Sequence, residues 1–265
     1  MAQSNAHASA MKNLDNYKFN TVERGDRINP HRSNRAYWHL RLVLDKMRRV
    51  AESDLLPPGE KLLDYGCGNK PYHSLFSPKF NQYIGADLPG NEEADLIIGP
   101  QGQIPSEDNS FDCVLSSEVM EHTEDPRFYL KEAHRVLKPG GSLVLSVPAI
   151  WVYHPDPIDY WRWTIAGLQH EIRQAGFEIV LMQGVFGPES SALQLWQDAT
   201  LERLPKRLRS AYTWFIQRMI GLIERRQPDK LSEDASIYVV LARKRDDGIK
   251  SENNGAPSQK QRAES

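Results

Sequence analysis

Leu62-Leu63-Asp64-Tyr65-Gly66-Cys67-Gly68 reads as a buried strand that closes on an acidic residue and a tight glycine turn. Nineteen residues beyond Gly68, a second short apolar run, Tyr83-Ile84-Gly85-Ala86, ends at Asp87. Glycine lets a backbone turn sharply and come close to a ligand. A carboxylate at the end of the second strand can accept hydrogen bonds from two ribose hydroxyls. The pair points to a nucleotide-like cofactor lying across the ends of two parallel strands. A strand–helix turn with no ligand is the plain alternative. A dinucleotide fingerprint would want G-x-G-x-x-G, and Gly66-Cys67-Gly68-Asn69-Lys70-Pro71 has no third glycine in that place.

Outward from this stretch, strands and helices alternate. Leu40, Leu44 and Met47 recur at near-helical spacing, which predicts an amphipathic helix over Tyr37–Ala51. Strands are expected at Lys61–Tyr65, Tyr83–Ala86, Asp95–Ile98, Phe111–Ser116, Ser142–Val147, Phe177–Met182 and Ser236–Ala242. A helix is expected from Pro126 to Leu137, stopped by Lys138-Pro139-Gly140-Gly141, and another over Ile165–Ala175 behind a Thr164 N-cap. The alternation implies an α/β fold with a mainly parallel sheet covered on both faces. Residues 191–232 form a helical insertion before the last strand. Within it, Leu208, Tyr212, Phe215, Met219 and Leu222 make one helical stripe, widened by Trp214, Ile216, Ile220 and Ile223, and Arg203, Lys206, Arg207, Arg209, Arg218, Arg225 and Arg226 make it basic. That region could cap its own domain, pair with a second copy, or lie on an anionic membrane.

Composition narrows the function class. The chain has 265 residues, 40% of them apolar, and a net charge of -2, which gives no reason to expect nucleic acid as a partner. Its two cysteines, Cys67 and Cys113, each fall in a strand–turn element, so a reducing, cytoplasmic setting is expected. No apolar run reaches about 18 residues, so no helix should span a membrane. Residues 1–30 and 246–265 are poor in large apolar side chains and read as disordered tails around a domain over 31–245.

Four segments in order resemble the class I S-adenosylmethionine-dependent methyltransferases. They are Asp64-Tyr65-Gly66-Cys67-Gly68; Gly85-Ala86-Asp87; Ile104-Pro105 with Asp108-Asn109-Ser110-Phe111-Asp112; and Glu118-Val119-Met120-Glu121-His122 leading to Leu137-Lys138-Pro139-Gly140-Gly141. The resemblance implies a Rossmann-like sheet of seven strands whose last strand is antiparallel and inserted between its neighbours. It implies S-adenosylmethionine as cofactor: Gly66 and Gly68 along the methionine part, Asp64 fixing the turn and holding the amino group, Asp87 with Leu88 at the ribose, and the backbone at Ser116 and Ser117 facing the methionine end. Two positions depart from the pattern. Lys70 stands where many members have a third glycine, and Pro100 follows Gly99 where many have an acidic residue. Adenine recognition then falls to the backbone of Gln101–Gln103 or to Gln103 itself.

The acceptor side is expected after the fourth and fifth strands, at the carboxyl edge of the sheet. His122 can serve as general base or as a loop histidine bonded to backbone. His154-Pro155-Asp156-Pro157-Ile158-Asp159-Tyr160-Trp161-Arg162-Trp163-Thr164 packs His, Asp, Tyr, Trp and Arg into eleven residues. Its spacing resembles a methyltransferase subgroup found with glycan and surface-polysaccharide biosynthesis. Candidate catalytic residues are therefore His122, His154, Asp159, Tyr160 and Arg162, with a capping loop as the structural alternative. The histidines are dispersed in sequence, so no metal is expected. The expected activity is O-methylation of a sugar, glycan or lipid-linked intermediate. N- or C-methylation, or a non-catalytic cofactor-binding module, stays open, as do a homodimer and peripheral contact with the inner membrane face through 203–226.

Overall fold

A computed structural model of the protein describes residues 27–155, 158–226 and 231–245. The expected tails fall outside these residues except for 27–30. The elements run α1 (Tyr37–Glu52), β1 (Gly59–Tyr65), α2 (His73–Phe76), β2 (Phe80–Asp87), β3 (Leu96–Ile97), β4 (Phe111–Ser117), α3 (Pro126–Val136), β5 (Leu137–Pro148), α4 (Ile165–Gln174), β6 (Phe177–Val185), α5 (Pro188–Thr200), α6 (Lys206–Glu224) and β7 (Ile237–Lys244). They build one seven-stranded sheet in the order β3-β2-β1-β4-β5-β7-β6. Strand β7 runs antiparallel to both β5 and β6, and the remaining pairs are parallel. The Rossmann-like architecture with an inserted antiparallel last strand is the one the sequence resemblance implied.

Alternation along each strand sends side chains to opposite faces, and here both faces are buried. Leu63, Tyr65, Val114, Leu143, Leu145 and Val240 meet Leu130, Ala133, Leu168 and Ile172 of α3 and α4 on one side. Leu62, Cys113, Leu115, Val144, Val239 and Leu241 meet Val43, Met47, Val50, Ile216 and Ile220 of α1 and α6 on the other. Near-continuous apolar runs such as Cys113-Val114-Leu115 are what a doubly covered parallel strand needs. Local signals set the helix starts. The Asp125 carboxylate accepts from the backbone N–H groups of Arg127 and Phe128 at 3.0 and 3.1 Å, with Pro126 at the first helical position. Thr164 Oγ1 accepts from Gly167 N–H at 3.1 Å, as its expected N-cap role requires.

Two expectations are refined. Strand β5 starts at Leu137, because Leu137 pairs with Phe111 before a register shift carries Ser142 to Cys113. The Lys138-Pro139-Gly140-Gly141 stretch ends the helix and is also an irregular strand start. In the insertion, the buried face of α6 is Thr213, Ile216, Gln217, Ile220 and Gly221, so of the apolar positions only the flanking Ile216 and Ile220 turn fully inward. Leu208, Phe215, Met219 and Leu222 face solvent, with Trp214 beside them. Polar contacts select the buried face. The amides of Gln194, Gln197 and Gln217 all donate to the Arg35 carbonyl at 3.2, 2.6 and 2.7 Å. Gln217 Oε1 in turn accepts from Trp38 N–H at 3.1 Å. A Cβ on Gly221 would lie 2.5 Å from the Trp38 ring, so the glycine lets that ring close onto α6. The start of α1 is therefore a packed flank of the insertion.

Candidate functional site

The sheet changes direction of growth at β1, which has β2 on one side and β4 on the other. The crevice beyond such a switch point is where open α/β sheets bind ligands. Both the glycine turn after β1 and the Glu118–His122 segment after β4 lie there. Gly66 and Gly68 have φ of +82° and +53°, in the left-handed region. A Cβ on Gly66 would also strike Val119 at 2.5 Å. The N–H groups of Gly66 and Cys67 both reach Ala86 O, at 2.8 and 3.1 Å, and so tie the turn to the end of β2. Asp87 completes the tie: its Oδ2 accepts from Gly68 N–H at 2.8 Å and from Asn91 Nδ2 at 2.7 Å, while Oδ1 accepts from Leu88 N–H at 2.8 Å. Asn91 donates onward to Gly68 O at 2.8 Å. Asn91 had no place among the predicted site residues. Its only signal is position, in the Pro89-Gly90-Asn91 turn four residues past Asp87.

Asp64 is buried in β1, and its Oδ2 accepts from the Tyr83 hydroxyl at 2.5 Å. Burial, helped by the neighbouring Asp87 charge, pushes the Asp64 carboxyl up to about 7 against the opposing Tyr83 bond. A carboxyl raised in this way gains from a cation placed beside it. Burial also raises Glu118, which sits at φ +55° with a buried, unpartnered Oε1. Asp64, Asp87 and Glu118 thus make an acid-rich crevice along a left-handed backbone turn. These donors and acceptors fit S-adenosylmethionine, which offers an ammonium, a sulfonium and ribose hydroxyls. Ser117 is buried at the end of β4, its Oγ 3.0 Å from Ser146 Oγ. Leu88 packs partly buried against the core. Gln103 pairs with Gln101: its amide donates to Gln101 Oε1 and its own Oε1 accepts from Gln101 N–H, both at 3.1 Å.

The loop after β5 folds over the turn that follows β4. Glu121 O accepts from the N–H groups of Tyr160 and Trp161 at 2.8 and 3.3 Å, and Trp161 Nε1 donates to Thr123 O at 2.8 Å. This brings His122 and His154 into edge-to-face contact, ring centroids 5.2 Å apart. His122 Nδ1 lies 2.7 Å from Ile158 O. A carbonyl only accepts, so Nδ1 carries the proton and Nε2 presents a lone pair. Burial lowers the His122 pKa to about 4 despite that bond, so the ring is neutral at pH 7. Beside both rings is Glu121, fully buried at 0% exposure, with neither side-chain oxygen within hydrogen-bond geometry of a partner among the described residues. Its Oε1 is 3.7 Å from His122 Nε2 and 3.9 Å from His154 Nε2. Burial, and after it the Glu118 charge, holds the Glu121 carboxyl well above the usual range.

Of the five predicted acceptor-side residues, four meet here. Asp159 forms a bidentate pair with Arg162, both N···O distances 2.5 Å, and its Oδ2 accepts from His154 N–H at 2.9 Å. Arg162 spends its other donors on the carbonyls of Trp151, Val152 and Trp161 at 3.2, 2.7 and 2.7 Å. All five guanidinium N–H groups are thus engaged, and Arg162 acts as a clasp for its loop with none left over for an acceptor. Tyr160 is 43% exposed and joins the cluster through its backbone N–H. Sequence reasoning noted Glu121 beside His122 but gave it no role. Its significance depends on His154, which stands 32 positions after His122 and which only the folded loop brings alongside.

The model of a methyltransferase-domain family matches residues 34–181, more than half of the chain. A probable S-adenosylmethionine-dependent methyltransferase of Mycolicibacterium smegmatis is 27% identical over 61% of this chain and 67% of its own. A ubiquinone biosynthesis O-methyltransferase of Cereibacter sphaeroides is 32% identical over 50% of this chain and 66% of its own. The chain spans between about a third and three quarters of the length of the curated relatives it matches. Among solved structures, one chain of a complex containing the Haloferax volcanii Trm112 methyltransferase activator superposes with a TM-score of 0.51, at 17% identity, over 84% of this chain and 98% of that one. The family match runs from before β1 into β6 and takes in the glycine turn, the Asp87 tie and the Glu118–His122 segment, and on it the chain belongs to the S-adenosylmethionine-dependent methyltransferase family.

Proposed function

We propose that this protein moves the methyl group of S-adenosylmethionine to an oxygen of a sugar, glycan or lipid-linked intermediate, working at an anionic membrane surface. The bound cofactor supplies an already activated methyl group, so the protein's task is to orient an acceptor and exclude water. Asp64, Gly66, Gly68 and Asp87 are assigned to the cofactor. His122, His154 and their loop, held by the Asp159–Arg162 clasp, are assigned to the acceptor. Relatives named as ubiquinone biosynthesis O-methyltransferases favour oxygen as the acceptor atom.

The observation that carries the membrane part is the outer face of α6. Trp214 and Phe215 are 64% and 55% exposed, with Leu208, Met219 and Leu222 beside them. An open groove between α1 and α6 is lined by Arg32, Arg41, Arg218 and Arg225 around Trp38 and Trp214. Indole and phenyl rings flanked by guanidinium groups suit the headgroup zone of a bilayer that carries anionic lipid. No described helix is long and apolar enough to cross a membrane, so the contact is peripheral.

Purified protein with methyl-labelled cofactor and fractionated extract tests the reaction. Label should enter a lipid or glycan fraction as a methyl ether, whereas label on nitrogen or carbon would redirect the acceptor assignment. Co-sedimentation with phosphatidylglycerol vesicles tests the surface. Binding should fall at high salt and in a Trp214→Ser/Phe215→Ser chain. A dimer in solution that buries this face, with no vesicle binding, would overturn the membrane reading.

A further inference from the structure

We propose that Glu121, His122 and His154 bind a divalent transition-metal ion of the zinc type, with an open coordination position facing the acceptor. The clue is Glu121. A carboxylate with no exposure and no partner on either oxygen is costly to bury, and native structures seldom leave such a group unmatched. Among the described residues no lysine or arginine pairs with it, and its own backbone N–H and the charge of Arg27 offset its burial only in part. The fold supplies two imidazole nitrogens, and the three ligand atoms lie within 4.8 Å of one another. Tetrahedral bonds of about 2.0–2.1 Å would hold ligand atoms roughly 3.3 Å apart. The two Glu121–histidine distances of 3.7 and 3.9 Å close by a few tenths of an ångström, and the two imidazole nitrogens, within 4.8 Å of each other, by at most about 1.5 Å.

The surroundings of the histidines point the same way. A metal-bound imidazole needs its other nitrogen fixed by a carbonyl or carboxylate, which sets both the tautomer and the ring plane. His122 has Ile158 O at 2.7 Å from Nδ1. His154 has Val152 O at 3.1 Å and Asp159 Oδ2 at 3.3 Å from Nδ1. Both rings therefore turn Nε2 toward Glu121. The Arg162 clasp holds Asp159 in place, which gives that residue pair a purpose beyond loop closure. Both histidines keep some exposure while Glu121 has none. The ion would thus be anchored from inside and open on the acceptor side, and three protein ligands plus an open position is the pattern of a catalytic zinc site. Two nitrogens and one carboxylate favour zinc, cobalt or iron over magnesium or calcium, which take oxygen ligands. The ligand expected at the open position is a hydroxyl-bearing acceptor. That last role rests on the methyl-transfer reading, while the site itself does not.

The test uses the full chain, freed of metal with a chelator and titrated with Co²⁺. Binding should give the visible absorption of a four- or five-coordinate ion, removed by Zn²⁺ and left unchanged by excess Mg²⁺. His154→Ala and Glu121→Gln should each weaken Co²⁺ binding at least about ten-fold, and Asp159→Asn, acting through His154, about ten- to a hundred-fold. Circular dichroism and calorimetry with S-adenosylmethionine report whether each variant still folds. A colourless titration, or an unchanged one in folded His154→Ala, overturns the metal site. If cofactor binding persists in that case, the methyltransferase assignment stands without the metal. If Co²⁺ binds but the cofactor does not, the metal site stands and the transfer reading falls.

Discussion

Asp64 and Asp87 lie one strand apart and differ in what holds them. Asp87 is a carboxylate bound on both oxygens, and its backbone and Asn91 donors keep the glycine turn in shape. Of about four lone-pair positions three are taken, and one on Oδ1 remains free to accept from a hydroxyl of a bound ligand. Asp87→Ala removes both the tie and that acceptor, so S-adenosylmethionine binding measured by calorimetry should weaken about ten-fold or more. Asp64 is held by one hydroxyl and raised by burial to about 7. In the cofactor-free protein the fold prefers its neutral form. The sign follows: stability from this group is full below the unfolded value of about 3.9 and is lost as pH rises toward 7. Urea denaturation across that window should find Asp64→Asn gaining on the parent chain as pH rises, then levelling off above about 7. A constant difference would mean that Asp64 is already ionised in the fold. The same substitution should weaken cofactor binding, because the ammonium loses its counter-charge.

At the scale of elements, the structure shows where sequence periodicity speaks clearly and where it does not. The starts of α3 and α4 could be read from local chemistry, Pro126 at the first turn of one and the Thr164 cap of the other, while the Asp125 cap of α3 emerges from the structure. Asp125→Ala leaves two N–H groups at the start of α3 unpaired, and chemical denaturation should register a loss of about 1 kcal/mol. The glycine turn and Asp87 were equally plain, since strand ends carry the ligand edge in this architecture. For helix α6 the apolar pattern left open which face turns inward. Its strongest apolar stripe is exposed, and its buried face includes Thr213, Gln217 and Gly221. Hydrophobic pattern says which side chains gain from burial. It does not say that Arg35 O sits where three glutamine amides can reach it. Gly221→Ala puts a methyl group against the Trp38 ring at 2.5 Å. Melting should show a loss of about 1–3 kcal/mol, the usual range for overpacking.

At the scale of the whole molecule, the parts hidden from the sequence are those made by closure of distant segments. Strand alternation could be read residue by residue, but the Glu121–His122–His154 cluster exists only because the loop after β5 returns to the turn after β4. The crevice is likewise shared: β1 supplies Asp64, β2 supplies Asp87, and β4 leads into Glu118. A ligand that bridges these ends should stabilise the sheet as a unit. At a hundred times its dissociation constant, a ligand adds about 2.7 kcal/mol. A chain of this size gains about 2–4 °C in melting temperature per kcal/mol, so S-adenosylmethionine at that excess should raise the midpoint by about 5–11 °C. At the same concentration, an Asp87→Ala chain with ten-fold weaker binding keeps about half of this shift, because stabilisation follows the logarithm of occupancy. Differential scanning calorimetry reads both values. An unshifted parent midpoint would separate this crevice from the cofactor, and equal shifts in the two chains would move the ribose contact away from Asp87.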